Sequence, residues 1–168
     1  MKDSIITKRL TLNKLNFHDD VFIMELLNTP GWLKYIGDRK VKTKDDANGY
    51  IQKISDNSNF NYWTVKLKET DTRVGIITFI KRDYLEDCDI GFAFLPNFTN
   101  LGYAYEATKA VLDEIANTGD YKKILGITIR DNLPSIKLLE RLGLRFLKEI
   151  EQDSNQLLVY SRDLSSES

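Results

Sequence analysis

Cysteine is almost missing from this chain. Cys88 stands alone, which excludes an intrachain disulfide framework and a multi-cysteine zinc site and fits a reducing compartment. Histidine is as scarce: His18, the only one, falls among Asp19 and Asp20 at an expected helix start, without the partners that a triad or a metal site needs. Charge of one sign is not in excess either, since 24 Lys and Arg face 25 Asp and Glu for a net charge of -1. No global field gathers nucleic acid or an acidic membrane, so any bound anion must be held locally. Long hydrophobic runs are also lacking. The stretch from Ile90 to Tyr105 carries no charge, but Pro96, Asn97, Asn100 and Gly102 interrupt it and argue against a membrane span. Met1-Lys2-Asp3-Ser4 leads into alternating polar and apolar residues and not into a signal-type apolar core, so a soluble, cytoplasmic protein is expected.

What is present is enough apolar material for one core. With 168 residues, 42% hydrophobic and 29% charged, the chain reads as a single domain over 1–168, without repeats or low-complexity linkers. Ile5 to Leu12 reads as a first strand, and Asp19 to Leu27 as a short helix stopped by Pro30-Gly31. Thr43 before Asp45-Asp46 opens a second helix with Ala47, Tyr50, Ile51 and Ile54 on one face. Tyr62 to Leu67, Arg73 to Ile80 and Asp89 to Leu95 form an antiparallel meander. A helix from about Tyr103 to Asn117 buries Ala104, Ala107, Val111, Leu112 and Ile115 and closes at Gly119. Lys123 to Ile129 is a strand, Leu133 to Leu142 a helix ended by Gly143, and Arg145 to Ile150 with Leu157 to Ser161 a final pair. The passage from Asp89 through Ile129 is a strand, helix, strand crossover, so the sheet is mixed and the class α+β or α/β.

The segment around Gly102 carries the chemistry. A glycine at a helix start lets bare backbone N–H groups approach a polyanion, at the positive end of the helix dipole, although a lone glycine there is also plain turn chemistry. On the preceding strand, Asp89, Gly91, Ala93 and Leu95 share one face, and Ile90, Phe92 and Phe94 the other. Two small residues in the middle of one face leave room either for a slender ligand or for a closely packed helix.

The run from Asp87 to Pro96 (Asp-Cys-Asp-Ile-Gly-Phe-Ala-Phe-Leu-Pro), followed by Gly102-Tyr103-Ala104-Tyr105-Glu106-Ala107, resembles the acetyl-CoA motif of GNAT N-acetyltransferases, and most of all their RimJ/RimL-like, ribosomal-protein-acetyltransferase-like branch. Thr7-Lys8-Arg9-Leu10, the run from Gly31 to Arg39, and Asp131-Asn132 through Ser135 to Leu142-Gly143 extend the similarity from about Ile6 to Tyr160. The resemblance implies a mixed, mostly antiparallel sheet of about seven strands with four helices, splayed between the fourth and fifth strands to admit pantetheine. It assigns the CoA pyrophosphate to the N–H groups of Leu101, Gly102, Tyr103 and Ala104, while Thr99, Asn100 and Leu101 depart from the usual residues of that loop. Asn100 tolerates the positive φ that such a cradle requires.

Further roles follow from the same resemblance. A backbone N–H near Phe94 or Leu95 polarises the thioester carbonyl, Asn132 contacts CoA from a helix start where it is equally a good N-cap, and Ser135 is the candidate partner of the leaving thiolate. The family's usual tyrosine acid is replaced by Leu138-Leu139, with Tyr103 and Tyr105 as weaker substitutes. Asp89 is the candidate base for the amine proton, acting through a water. The acceptor pocket falls to the loop from Trp32 to Arg39, with Trp32, Tyr35, Asp38 and Arg39 as candidates, and Cys88 reads as inert core. The expected activity is acetyl-CoA-dependent acetylation of a small-molecule or peptide amine by direct attack, without metal, nucleic acid or membrane, in a monomer or homodimer. The alternative is a non-catalytic acyl-CoA-binding or interaction protein that keeps the fold.

Overall fold

Thr7 turns the chain back on itself. Its N–H donates to the Leu10 carbonyl (2.9 Å), and its hydroxyl accepts from the Leu10 N–H (3.0 Å). The expected first strand is therefore two, β1 (Ser4–Ile6) and β2 (Leu10–Lys14), paired antiparallel with Ile5 opposite Leu12. A computed structural model describes residues 1–165. After β2, Asn16 caps a single 3-10 turn that runs into α1 (Asp20–Leu26).

Pro30-Gly31, read from the sequence as a stop, instead starts α2 (Pro30–Tyr35). The Thr29 hydroxyl accepts the Trp32 N–H, and Pro30 sits in the first turn, where its missing N–H has no intrahelical partner to lose. Trp32 is accordingly a helical residue. At α3 (Lys44–Ser55) Thr43 and Asp46 close a reciprocal cap: the Thr43 hydroxyl accepts the Asp46 N–H (3.0 Å) and the Asp46 carboxylate accepts the Thr43 N–H (3.1 Å).

The meander follows as β3 (Phe60–Leu67), β4 (Arg73–Ile80) and β5 (Asp89–Phe94), then α4 (Tyr103–Thr118), β6 (Lys123–Thr128), α5 (Leu133–Arg141), β7 (Arg145–Gln152) and β8 (Asn155–Asp163). The eight strands run in the order β1-β2-β3-β4-β5-β6-β8-β7, antiparallel except where β5 meets β6. The class is α/β as expected, and among the described residues there are eight strands where about seven were read and five helices where four were.

Each face of the sheet has its own core. Ile90 with Ala107, Val111, Leu112 and Ile115 of α4 and Leu139 of α5 builds one. Ile76 and Leu95 with Phe22, Ile23, Trp32 and Ile51 build the other, under α1 to α3. Gly126 in β6 shows how closely α5 is laid down: a Cβ there would come within 2.6 Å of Leu139 Cδ2. Among the described residues no helix is long and apolar enough to cross a membrane.

Candidate active site

β5 and β6 separate almost as soon as they meet. Their ladder has one pair, Asp89 opposite Leu125, closed by the Leu125 N–H on the Cys88 carbonyl (2.9 Å). On the other side β5 stays zipped to β4 from Asp89 to Phe94. The Leu95 N–H continues that ladder, donating to the Val74 carbonyl (2.9 Å). It is therefore unavailable to a thioester, contrary to the expectation that included Leu95. Because successive residues of a strand alternate their hydrogen-bonding edge, the N–H groups of Phe92 and Phe94 turn toward the splayed side.

A cavity of about 480 Å³ opens in this gap, lined on one side by Ile90, Gly91, Phe92 and Ala93 of β5 and on the other by Ile127, Thr128 and Ile129. Among the residues proposed from the sequence, Trp32, Tyr35, Arg39, Asp89, Asn132 and Ser135 line it. Asp38 does not: its carboxylate accepts the Lys40 N–H (2.7 Å) and pairs with Lys42 (3.7 Å). The small residue at Gly91 serves the adjacent strand, since a Cβ there would stand 2.5 Å from Thr78 Oγ1. Asn132 caps α5 with its side-chain oxygen on the Ser135 N–H (3.4 Å), so the structural role foreseen for it is present beside its place in the cavity.

At the far end of β5, Asn100 (φ 60°) and Gly102 (φ 83°) both adopt left-handed backbone, and Gly102 leaves the first N–H groups of α4 without a side-chain cap. The Leu101 carbonyl accepts from Arg9 Nη1 (3.0 Å), while the Arg9 guanidinium lies 4.5 Å from the centre of the Tyr103 ring. Ala104 follows in the first turn of α4. A shallower recess of about 390 Å³ beside Gly102 includes Arg9, Lys109 and Arg141. The rim of the cradle thus carries Arg9 and Lys109, each ion-paired with an acid of the same recess (Glu106 and Asp113), together with Arg141, none of which the sequence reading assigned, although Arg9 lay inside a quoted motif.

Glu106 fastens this rim. It accepts from Thr7 Oγ1 (2.6 Å), the Arg9 N–H (2.8 Å) and Arg9 Nε (2.6 Å). Burial alone would raise its carboxyl, but the bonds from Thr7 and Arg9 together hold it below the usual glutamate range. A lowered folded value means that this stabilisation is complete above the unfolded value of about 4.3 and is lost as pH falls through the folded one. The Tm gap between the wild type and Glu106→Gln is therefore expected to be largest near neutrality and to close in acid, as melts from pH 7 down to 3 will show.

Asp89 is more constrained than a strand-entrance carboxylate on the surface. It is 1% exposed and held by Arg82, whose Nε and Nη2 lie 2.6 and 3.4 Å from its oxygens. Burial pushes its carboxyl above the ordinary range, with Arg82 opposing. Arg82 carried no signal in the sequence, because it sits seven positions away and reaches Asp89 only through the β4–β5 turn. Tyr50 and Tyr62 line the same cavity, and burial pushes both phenols up, so they remain neutral hydroxyls. Cys88 is half-buried beside the α4 core and its thiol is also pushed up by burial, the opposite of an activated nucleophile. His18 is exposed in the 3-10 turn.

Comparison with known proteins agrees with this geometry. A family model described as an acetyltransferase (GNAT) domain matches residues 9–145. The chain is 30% identical over 141 residues, 84% of its own length and 82% of the relative's, to a protein of Bacillus subtilis (strain 168) named uncharacterized N-acetyltransferase YnaD. Its fold is like that of a GNAT-family acetyltransferase from Bacillus anthracis, with a TM-score of 0.82 and 24% identity, covering 97% of this chain and 99% of that one. RimL, a ribosomal L7/L12 alpha-N-protein acetyltransferase solved with coenzyme A, is similar in fold at a TM-score of 0.81 and 14% identity, covering 95% and 96%. That likeness is to the architecture and does not single out one branch. A match over most of the chain, with the splayed strands and the open helix start, makes this protein a member of the GNAT acetyltransferase family.

Proposed function

We propose that the protein is an acetyl-CoA-dependent N-acetyltransferase that moves an acetyl group to a primary amine by direct attack within a ternary complex. The single observation that carries this reading is the one-pair contact between β5 and β6. Strands that part there expose the β5 amides at Phe92 and Phe94 along a gap that a pantetheine arm fits as an added strand. The uncapped start of α4 suits a diphosphate: Leu101, Gly102, Tyr103 and Ala104 supply N–H groups and the dipole end, and the Arg9 guanidinium, paired with Glu106, lies beside them.

Acetyl-CoA supplies the activated acyl group, and the protein's residues handle protons and position. Asp89 receives the amine proton through a water, the amine nitrogen bonds to the thioester carbon, the Phe94 N–H supports the developing oxyanion, and the carbon–sulfur bond breaks. Ser135 donates a hydrogen bond to the departing thiolate. The RimJ/RimL-like reading rests on the resemblance of the runs from Asp87 to Pro96 and Gly102 to Ala107, and it implies this serine as the thiolate partner in a helix where Leu138-Leu139 stands in place of a tyrosine acid.

Acetyl-CoA near 100 times its Kd is expected to raise Tm by about 5–10 °C. That shift occurs equally for a non-catalytic binder. Free thiol released only when an amine is present separates transfer from binding, and a thermal shift without thiol release for any amine would leave the protein a binder.

A further inference from the structure

The wall of the cavity built by α2, α3, β3 and β4 is rich in hydrogen-bond donors and has no available acid. Arg39 reaches the Tyr50 phenol but has no carboxylate partner among the described residues. Trp32 is 7% exposed, lines the same wall, and its indole N–H is buried without an acceptor. Arg82, the second guanidinium on this wall, is already neutralised by Asp89. The remaining acid in the lining, Asp153, belongs to the β7–β8 turn on the other side of the gap. A polyamine or another polycation would meet one uncompensated positive charge and a buried N–H here, and no carboxylate to pair with. An anionic oxygen group docked on Arg39 would compensate that charge.

We propose that the acetyl acceptor is an amine bearing a carboxylate, of free amino-acid size, whose carboxylate docks on Arg39 at the Trp32 side of the cavity. This rests on the transfer reading above and narrows its substrate. Arg39 presents a planar donor fork that matches a carboxylate bidentately, and the rings of Trp32, Tyr35 and Tyr84 line the same cavity. An α-carboxylate lies next to the reacting nitrogen, so one docking contact fixes where the amine points. The carboxylate of a peptide substrate is remote from its N-terminal amine and cannot do this.

Thiol release from acetyl-CoA is to be measured with a panel of amino acids, their carboxamides, spermidine and short peptides, for the wild type, Arg39→Gln and Trp32→Phe. Each variant is first checked for its acetyl-CoA thermal shift, which reports an intact fold and cradle. The free acids are expected to exceed their carboxamides in kcat/KM by roughly 10- to 100-fold, the value of a hydrogen-bonded charge pair. Arg39→Gln should erase that preference, chiefly through KM, and Trp32→Phe should reduce it while keeping the ring. Equal use of acids and carboxamides, or preferred use of spermidine or peptides, overturns the carboxylate assignment while leaving transfer standing. A thermal shift with no thiol release from any amine overturns both.

Discussion

Asp89→Asn is expected to lower kcat/KM near neutral pH by roughly 10²- to 10⁴-fold and to restore much of it at high pH. The base must be ionised to accept a proton, and burial pushes the Asp89 carboxyl above the ordinary carboxylate range, with Arg82 restraining the shift. Wild-type activity should therefore rise with pH through the Asp89 titration, and the asparagine variant should lose that limb and follow the free amine instead. The same sign applies to stability: with the folded value raised, ionising Asp89 opposes folding, so its contribution is complete at low pH and lost as pH rises through the folded value. Arg82 keeps 31% of its side-chain surface exposed, so water can solvate it in the variant and the fold should survive, which the acetyl-CoA thermal shift verifies. A uniform drop across pH would reduce Asp89 to a positioning residue for Arg82.

The largest effect on stability should come from Arg73→Met. Asp19 is 1% exposed and accepts from Arg73 Nε (2.6 Å), Thr64 Oγ1 (2.8 Å) and the Asn16 N–H (3.0 Å), tying the turn before α1 to β3 and β4. Removing the guanidinium leaves that carboxylate buried with only neutral donors, at a cost of about 3–5 kcal/mol. In a chain of this length the loss corresponds to a fall in Tm of about 6–20 °C. Asp19→Asn should be milder, because the amide oxygen still accepts from Thr64 and Asn16, and Arg73, with 28% of its side chain exposed, can turn to water. Denaturant melts of both variants test this order. A loss below about 1 kcal/mol for Arg73→Met would class the pair with ordinary surface ion pairs.

Much of the architecture was legible because it rests on local rules. The Thr43 cap, the buried stripe of α4 and the glycines that begin and end that helix depend on residues within a few positions of one another. The errors came where two local signals compete. Pro30-Gly31 reads as a break by composition, yet Thr29 before it makes proline a first-turn residue, so a helix begins there. Ile5 to Leu12 alternates like one strand, and the Thr7 hydroxyl folds it into a hairpin. Asp89, Asn132 and Ser135, which line the cavity, could be named because the family resemblance marks those positions on a strand end and a helix start. Arg82, Thr78 and Tyr62 could not, since a strand residue faces a cavity only once its neighbours are in place.

The chain by itself determined the crossover from β5 through α4 to β6, the glycine that opens the first turn of α4, and the single cysteine and single histidine that exclude a disulfide framework and a multi-cysteine zinc site. Tertiary structure alone decided that β5 and β6 share one pair before parting, that the Leu95 amide belongs to β4 while those of Phe92 and Phe94 face the gap, and that Asp89 is held by Arg82. The difference is physical. Caps, turns and amphipathic periods are set by neighbours in sequence, whereas strand register, the splay between strands and the pairing of a buried charge are set by which surfaces pack together.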